Sequence, residues 1–599
     1  MSTASLGSLP DDLILDIVHY LDTARDVAHF EAASKRTHNL VKQSGWRDFV
    51  KDKFASIRLP SDDRCWNKRG VYLTIIDEQP PAWNGIRSRG FMGQSVSFQS
   101  VMTATMVSSY PEELFVFGAG EDLVFRRRPT TTETQDKWGR LKGRDMGYTA
   151  GSGDVTAMTI LERGPTPEIV VGRATGDLQL MSADFKTLGD ITQDLLPLDE
   201  QTTGLGTQPM RTSPGQMAVS WAEWEPKNQI LVSCRSSILT LYNLNNTEEE
   251  SLRPIMYYDV SKANLSDETS LMRNVKFMTP DIVACGLGGC RQPLRWAQIR
   301  PDGLEFFYAA KNGLMAKDME MGPATGPDEK TTVRAIEPVY GMNPNLLLSA
   351  WDDGSHRLSD LRTPSDHDAI YRDRFQPYQA SSSMIVYGSE RFVTGNNWGP
   401  DIRFFDFRYP RPYKHYNALP CSPIPPIPGR PFQKDGLNRT VIPERPVAKC
   451  DHVHGQKCTW HEMSAEQSWQ PDAVLHMGSP TLDRVHSLTK AADTSSSFYI
   501  GFRGSVVEMT LGLAEDIPDE AKKRNAADGW RATQPKGRVS LMETGIGFCS
   551  DEAWMEGHTG MPELYYHKQL RFLEETADRR KPNWSRLDTA FRSSRRRQS

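Results

Sequence analysis

The sequence predicts a multidomain, mainly β protein: a short amino-terminal α-helical module, then a ring of repeated antiparallel strand units, a Pro-rich insertion and carboxy-terminal helices. Three observations carry this reading. Apolar residues within 9–46 recur at helical spacing. From about residue 71 the signal changes to short strands punctuated by Gly, Asp and Asn, the pattern of an all-β region. A phrase made of an apolar run, a small or polar turn and an alternating run then recurs along the chain.

The helical module opens Leu9-Pro10-Asp11-Asp12. Proline suits a first helical turn, where its missing N–H costs nothing, and the two aspartates place negative charge at the positive end of the helix dipole. Leu13, Ile17 and Leu21, with Ile14 and Val18 beside them, form one apolar face. A second stretch has Val27, Phe30, Ala33 and Leu40 in periodic register, Ser34-Lys35-Arg36 between them, and ends on Trp46 and Phe49. Two or three helices this short cannot bury a self-sufficient core, so the expectation is that they complete their packing on a partner.

These residues resemble an F-box: a Leu-Pro opening, an Ile/Leu helix, a small residue followed by Lys-Arg, a Leu and a terminal Trp, all in order over about the first 50 residues. The family usually has Cys where this chain has Ser34, and Leu where it has Val27 and Phe30. The resemblance implies binding to the Skp-type adaptor of a cullin-RING ubiquitin ligase, with Leu9, Pro10, Leu13, Ile14, Ile17, Leu21 and Trp46 as the adaptor-binding residues. The bland alternative is a helical pair packed on its own chain.

Composition fits a multidomain chain without an obvious nucleic-acid footprint: 71 Lys and Arg against 76 Asp and Glu give a net charge of −5. Eight Cys without framework spacing point to a reducing compartment, and no apolar run reaches membrane-span length. The expected location is cytoplasmic, nuclear or both, with no membrane and no nucleic-acid partner.

The repeated phrase appears seven times: Leu114 to Gly118 before Leu123 to Phe125, Ile169 to Gly172 before Gly176 to Leu180, Ile230 to Ser233 before Ile238 to Tyr242, Ile282 to Gly286 before Leu294 to Trp296, Leu346 to Ala350 before Arg357-Leu358, Arg391 to Gly395 before Asp401 to Phe405, and Phe498 to Gly501 before Val506 to Met509. These phrases resemble degenerate WD repeats, in which the second and third strands of each blade carry this order and the third ends near Trp-Asp. Here the dipeptide survives loosely as Tyr242-Asn243, Ser359-Asp360 and Phe405-Asp406. The resemblance implies a β-propeller, seven blades on this count, whose apolar faces only neighbouring blades can cover. A β-sandwich pair or barrel is the alternative within the all-β class. Closure of the ring needs an outer strand for an end blade, for which Val71 to Ile76 or Val539 to Met542 are candidates.

Residues 409–480 read as a surface insertion outside any blade: twelve are Pro, which removes too many N–H donors for a central strand and favours extended polyproline II. Pro428-Gly429-Arg430-Pro431 offers a ligand for an aromatic groove, with a plain connector as the simpler reading. Cys450, His452, His454, Cys458 and His461 crowd there with zinc-type ligands, but the spacing fits no standard finger and a solvated loop is the default. Beyond the last phrase, residues 516–528 and 562–578 read as helices, and Arg595-Arg596-Arg597 as a basic tail.

No dinucleotide loop, zincin pair, nucleophile elbow or phosphate loop occurs, so no cofactor, metal or catalytic residue is expected. The predicted organisation is therefore 1–55 F-box, 56–94 connector with a candidate closing strand, 95–408 blades one to six, 409–480 insertion, 481–550 last blade and closure, and 551–599 helix and tail. The predicted function is a non-catalytic substrate-recognition subunit: the F-box binds the Skp-type adaptor, and through it a cullin and RING protein, while the propeller holds an unidentified protein substrate. The alternatives are a non-degradative scaffold, a receptor for a different cullin adaptor suggested by the Asp-x-Arg endings Asp360 to Arg362 and Asp406 to Arg408, and a propeller enzyme with a site in its central channel.

Overall fold

The structure, a computed structural model, describes residues 9–57, 66–77, 81–88, 98–107, 112–129, 136–197, 218–245, 249–259, 271–308, 330–339, 344–363, 367–373, 379–399, 401–408, 471, 473–476, 484–495, 497–503, 505–513, 538–541 and 563–564. The Cys/His cluster, Pro428 to Pro431, the predicted helix over 516–528 and the arginine tail lie outside these residues.

Seven sheets form the body, each built on four antiparallel strands, and each of the seven phrases supplies the second and third strands of one sheet. Labelling strands a to d outward from the centre, blade 1 is Val101–Val107, Glu112–Ala119, Asp122–Pro129 and Lys137–Leu141. Blade 2 is Val155–Leu161, Glu168–Arg173, Leu178–Ser182 and Ile191–Leu195. Blade 3 is Val219–Glu225, Ile230–Arg235, Ile238–Asn243 and Met256–Asp259. Blade 4 is Leu271–Thr279, Ile282–Gly288, Leu294–Arg300 and Gly303–Tyr308. Blade 5 is Val333–Pro338, Leu346–Trp351, His356–Asp360 and Ala369–Tyr371. Blade 6 is Ser381–Tyr387, Arg391–Asn396, Asp401–Asp406 and Ala473–His476. The a strands pack on one another in chain order and the last returns to the first, so the sheets form a closed seven-bladed β-propeller.

Closure differs from the expectation. Blade 7 takes strands a to c from Ser487–Lys490, Ser497–Phe502 and Ser505–Leu513, but its fourth strand is Pro81–Ser88, antiparallel to the third with Pro81 opposite Leu513. The Val71 to Ile76 run is not a strand; it lies in a helix, Trp66–Asp77. Arg538–Leu541 adds a fifth strand outside Pro81–Ser88. Two more corrections concern the carboxy-terminal half. Ala473–His476, inside the stretch read as lying outside any blade, is the outer strand of blade 6, and Glu563–Leu564, read as helix, pairs with it as a short strand.

Packing between blades follows one rule. Near the end of each b strand stands a small residue: Gly118, Gly172, Cys234, Gly286, Ala350, Gly395 and Gly501. A Cβ added at Gly118 would sit 2.8 Å from Val155 Cβ, one at Gly172 2.6 Å from Val219 Cγ1, and one at Gly501 2.9 Å from Ser100 Cβ. Each glycine thus admits the next blade's inner strand, and the last admits the first blade's.

Candidate functional site

The helical module is built from α1 (Asp11–His19), α2 (Ala24–Ala32), α3 (Lys35–Leu40), α4 (Trp46–Lys53) and α5 (Trp66–Asp77), with a π-helical turn, Val41–Gly45, joining α3 to α4. Pro10 precedes α1 and its carbonyl accepts the Ile14 N–H at 3.2 Å. Thr23 caps α2, its Oγ1 accepting from Asp26 N at 3.2 Å. Ser34, where the family pattern has Cys, caps α3 in a capping box: its Oγ accepts from Thr37 N at 3.1 Å while Thr37 Oγ1 accepts from Ser34 N at 2.9 Å.

The motif residues turn out to hold one another. Arg36 donates from Nη2 to the Leu9 carbonyl at 2.7 Å and from Nε to Asp11 at 3.0 Å, latching the Leu-Pro opening to the start of α3. Trp46 is buried, 4% exposed, and its Nε1 donates to Glu31 at 2.8 Å. It packs edge-to-face on Phe49 with ring centroids 6.2 Å apart. Gly70 on α5 lets it come that close, since a Cβ there would stand 2.9 Å from Trp46 Cε3.

Helix α5 was absent from the sequence reading of this module, and it changes the packing argument. Val18, Ala24, Val27, Val41, Trp46, Phe49, Val50, Phe54 and Ile57 close around Leu73 of α5 in one buried cluster, and Thr74 Oγ1 accepts the Ala24 N–H at 3.2 Å. The chain therefore covers most of the apolar surface that was expected to need a partner.

What stays outside is one face of α1. Ile14 and Val18 point in, at 1% and 0% exposure, whereas Leu13 and Tyr20 are 48% and 84% exposed with Ile17 half-buried between them. Of the seven expected adaptor residues, Leu9 is half-buried, Pro10 exposed, Leu13 exposed and Ile17 half-buried, and Leu21 is half-buried against the internal cluster. Ile14 and Trp46 are interior: they hold the module together and present no surface. Tyr20, the most exposed of the group, was missed; it continues the Leu13, Ile17 spacing, and that was the available signal.

The module sits on the side of the ring formed by the a-to-b turns. Ser56 Oγ donates to Glu390 in that turn of blade 6 at 2.9 Å, and Arg69 Nη1 donates to the Thr494 carbonyl in that turn of blade 7 at 3.1 Å. Gly388, at φ +58°, permits the approach, because a Cβ there would crowd Ile57 Cγ1 at 3.1 Å. The Asp-x-Arg endings lie at the c-to-d turns of the same side, where each arginine folds back onto its own aspartate: Arg362 Nε reaches Asp360 at 2.9 Å and Arg408 Nε reaches Asp406 at 3.0 Å.

The opposite side carries the b-to-c turns. Four arginines, Arg173, Arg291, Arg403 and Arg503, lie near strand ends, and two of them, Arg173 and Arg403, are interior. Arg173 donates to the Glu121 and Gly153 carbonyls of the preceding blade at 2.9 and 2.8 Å beneath the Tyr148 ring, and Arg403 donates to the Gln379 carbonyl at 3.1 Å and pairs with Asp373. Arg235 repeats the Arg173 role one blade on, reaching the Gly176 carbonyl at 3.0 Å. Arg291 and Arg503 are exposed. The feature that does project is Trp398, 74% exposed on the b-to-c turn of blade 6, a turn pinned by Asn396 Oδ1 accepting from Trp398 N at 2.9 Å and by Arg484 donating to Asn397 Oδ1 at 3.2 Å.

Fold and site together define a seven-bladed β-propeller protein with a compact helical module fixed to one side of the ring. No protein-family model matches the chain, and no curated protein matches it. Among solved structures, the WD40 repeats of RRP9 are similar at 12% identity, covering 71% of this chain and 99% of that one with a TM-score of 0.40. The propeller assignment stands on the strand pairing and ring order given above. Among the described residues no helix is long and apolar enough to cross a membrane, and no group of three or more His, Cys, Asp and Glu stands in position to hold a metal ion.

Proposed function

We propose that the chain is an interaction scaffold acting as the substrate-recognition subunit of an F-box type ubiquitin ligase, its helical module binding a Skp-type adaptor and its b-to-c face capturing a protein substrate. One observation carries the reading: the module seals its own core yet leaves Leu13 and Tyr20 exposed and Ile17 half-exposed along α1 and its C-cap, beside the latched Leu9-Pro10. An isolated exposed apolar residue is ordinary, but three at helical spacing on the helix with the family's opening motif form a stripe suited to a partner helix. Among the described residues the module meets the ring on the a-to-b side, opposite the b-to-c face, which suits a receptor that must hold adaptor and target at once. Rate gain would then come from proximity, the target being held beside a charged conjugating enzyme.

The test is co-purification. Leu13→Asp with Ile17→Asp removes apolar contact worth about 3 kcal/mol, so adaptor recovery is expected to fall roughly 100-fold while the propeller keeps its circular dichroism and thermal midpoint. The milder pair Leu9→Ala and Pro10→Ala is expected to act in the same direction. Full adaptor recovery with both variants overturns the reading. The alternative is a non-degradative scaffold, which adaptor recovered without any cullin identifies.

A further inference from the structure

We propose that the outer edge of blade 1, strand Lys137–Leu141, is a docking site for an acidic extended peptide segment of a partner protein, which pairs with it as a fifth strand. This surface is separate from the α1 stripe and does not depend on it.

The propeller itself shows that blade edges accept strands. Ser251–Leu252 pairs with the outer strand of blade 2, Glu563–Leu564 with that of blade 6 and Arg538–Leu541 with that of blade 7. Among the described residues, blades 1, 3, 4 and 5 end on their fourth strand, and of these four only that of blade 1, Lys-Trp-Gly-Arg-Leu, carries cations. Its backbone groups pair with Asp122–Pro129 on one side and, among the described residues, meet no strand on the other.

Charge then selects the occupant. Lys137, Lys142 and Arg144 are exposed and have no ion-pair partner among the described residues, Lys186 of blade 2, next in sequence to the Phe185 that packs on Gly139, is likewise exposed and unpaired among them, and Asp145 is the sole acidic residue from 137 to 145. In a chain of net charge −5 this is a local reversal of sign. Cations along an edge discourage pairing with a second copy of the same strand, and for the same reason they favour an acidic one. Trp138, 47% exposed with the Arg126 guanidinium 5.6 Å from its ring, offers the apolar contact that an alternating strand needs. The edge is also held in place from beneath: Leu188 and Phe185 of blade 2 press against Gly139, where a Cβ would stand 2.9 Å from Leu188 Cδ2. A rigid edge loses little entropy on binding.

The probe is a fluorescein-labelled peptide of alternating Glu and Val, measured by polarisation against the full chain at low salt. Binding is expected, with an affinity loss of about tenfold or more for the Lys137→Glu, Lys142→Glu variant and a similar loss for the same peptide N-methylated at alternate amides, which keeps the charge and blocks strand pairing. An alternating Lys and Val peptide is expected not to bind. Unchanged affinity of the N-methylated peptide, unchanged affinity in the charge-reversed variant, or equal binding of a single-stranded oligonucleotide each overturns the proposal. Both substitutions are at exposed side chains, and an unaltered thermal midpoint confirms that the variant is folded.

Discussion

Arg126→Met is expected to lower the stability of the propeller by about 3–5 kcal/mol, read as a shift in the urea unfolding midpoint. Arg126 lies on strand c of blade 1 and is 2% exposed; its Nη1 donates to Glu508 of blade 7 at 2.8 Å and its Nη2 to Glu113 of blade 1 at 2.9 Å. Tyr499 of blade 7 joins the group through hydrogen bonds to both Arg126 and Glu113, and its ring stacks on Phe115 with centroids 4.0 Å apart. The first and last blades meet here, so the network locks the seam of the ring. Methionine keeps most of the arginine stem's volume, so the loss reports the charge: Glu113 is left without its cation, and Glu508 keeps only Arg128.

The same seam sets an acid limit. Burial alone would push the Glu508 carboxyl up, but hydrogen bonds and charge from Arg128 and Arg126 outweigh it and hold it down to about 2. A carboxyl depressed in the folded state contributes stability above its unfolded pKa and loses that contribution as pH falls through the folded value. The wild-type chain is therefore expected to lose this stabilisation between about pH 4.5 and pH 2, and in Arg126→Met, where Glu508 is less depressed, the loss is smaller and is complete at a higher pH. A stability change under about 1 kcal/mol, with an unmoved acid limb, would show that the seam is held by packing alone.

Gly395→Val is expected to cost about 3 kcal/mol, the upper part of the overpacking range. A Cβ at Gly395 would stand 2.7 Å from Val485 Cβ, and valine adds two further methyls to a space that the neighbouring inner strand already fills. Neither side can yield easily, because Val485 is 0% exposed and its N–H is tied to the Asn396 carbonyl at 3.0 Å. The control is Gly164→Ala on an exposed turn with nothing within 4 Å of the added Cβ, where a change within about 0.5 kcal/mol is expected. Equal effects at the two positions would remove the inter-blade packing rule as the reason for the small residues.

That rule also explains what was readable. The first run of each phrase is a b strand buried on both faces, which forces a continuous apolar run, and the blade-to-blade approach forces a small residue at its end. Both requirements are local in sequence, so Leu114 to Gly118 and its six counterparts stood out. The a strands mix buried and half-buried residues, and the d strands are partly exposed or come from far along the chain, so they leave no such mark. Pro81–Ser88 contains Asn84-Gly85 and pairs with a strand more than 400 residues away, while Val71 to Ile76 has strand-like composition and is helical because its helix must place Gly70, Leu73 and Thr74 against the α2–α4 cluster.

The amino-terminal module divides in the same way. Helix starts, the Leu-Pro opening and the Ser34 cap follow from residues a few positions apart, so local sequence suffices for them, as it does for the all-β class and the count of seven repeats. Which apolar residues of α1 face inward, the sealing of Trp46 by α5, the use of an amino-terminal strand to close blade 7 and the side of the ring that carries the module were decided only by tertiary structure. The physical reason is that burial is a property of contacts between distant segments: an amphipathic helix states that it has an apolar side, and only the chain folded around it settles which part of that side is left for another molecule.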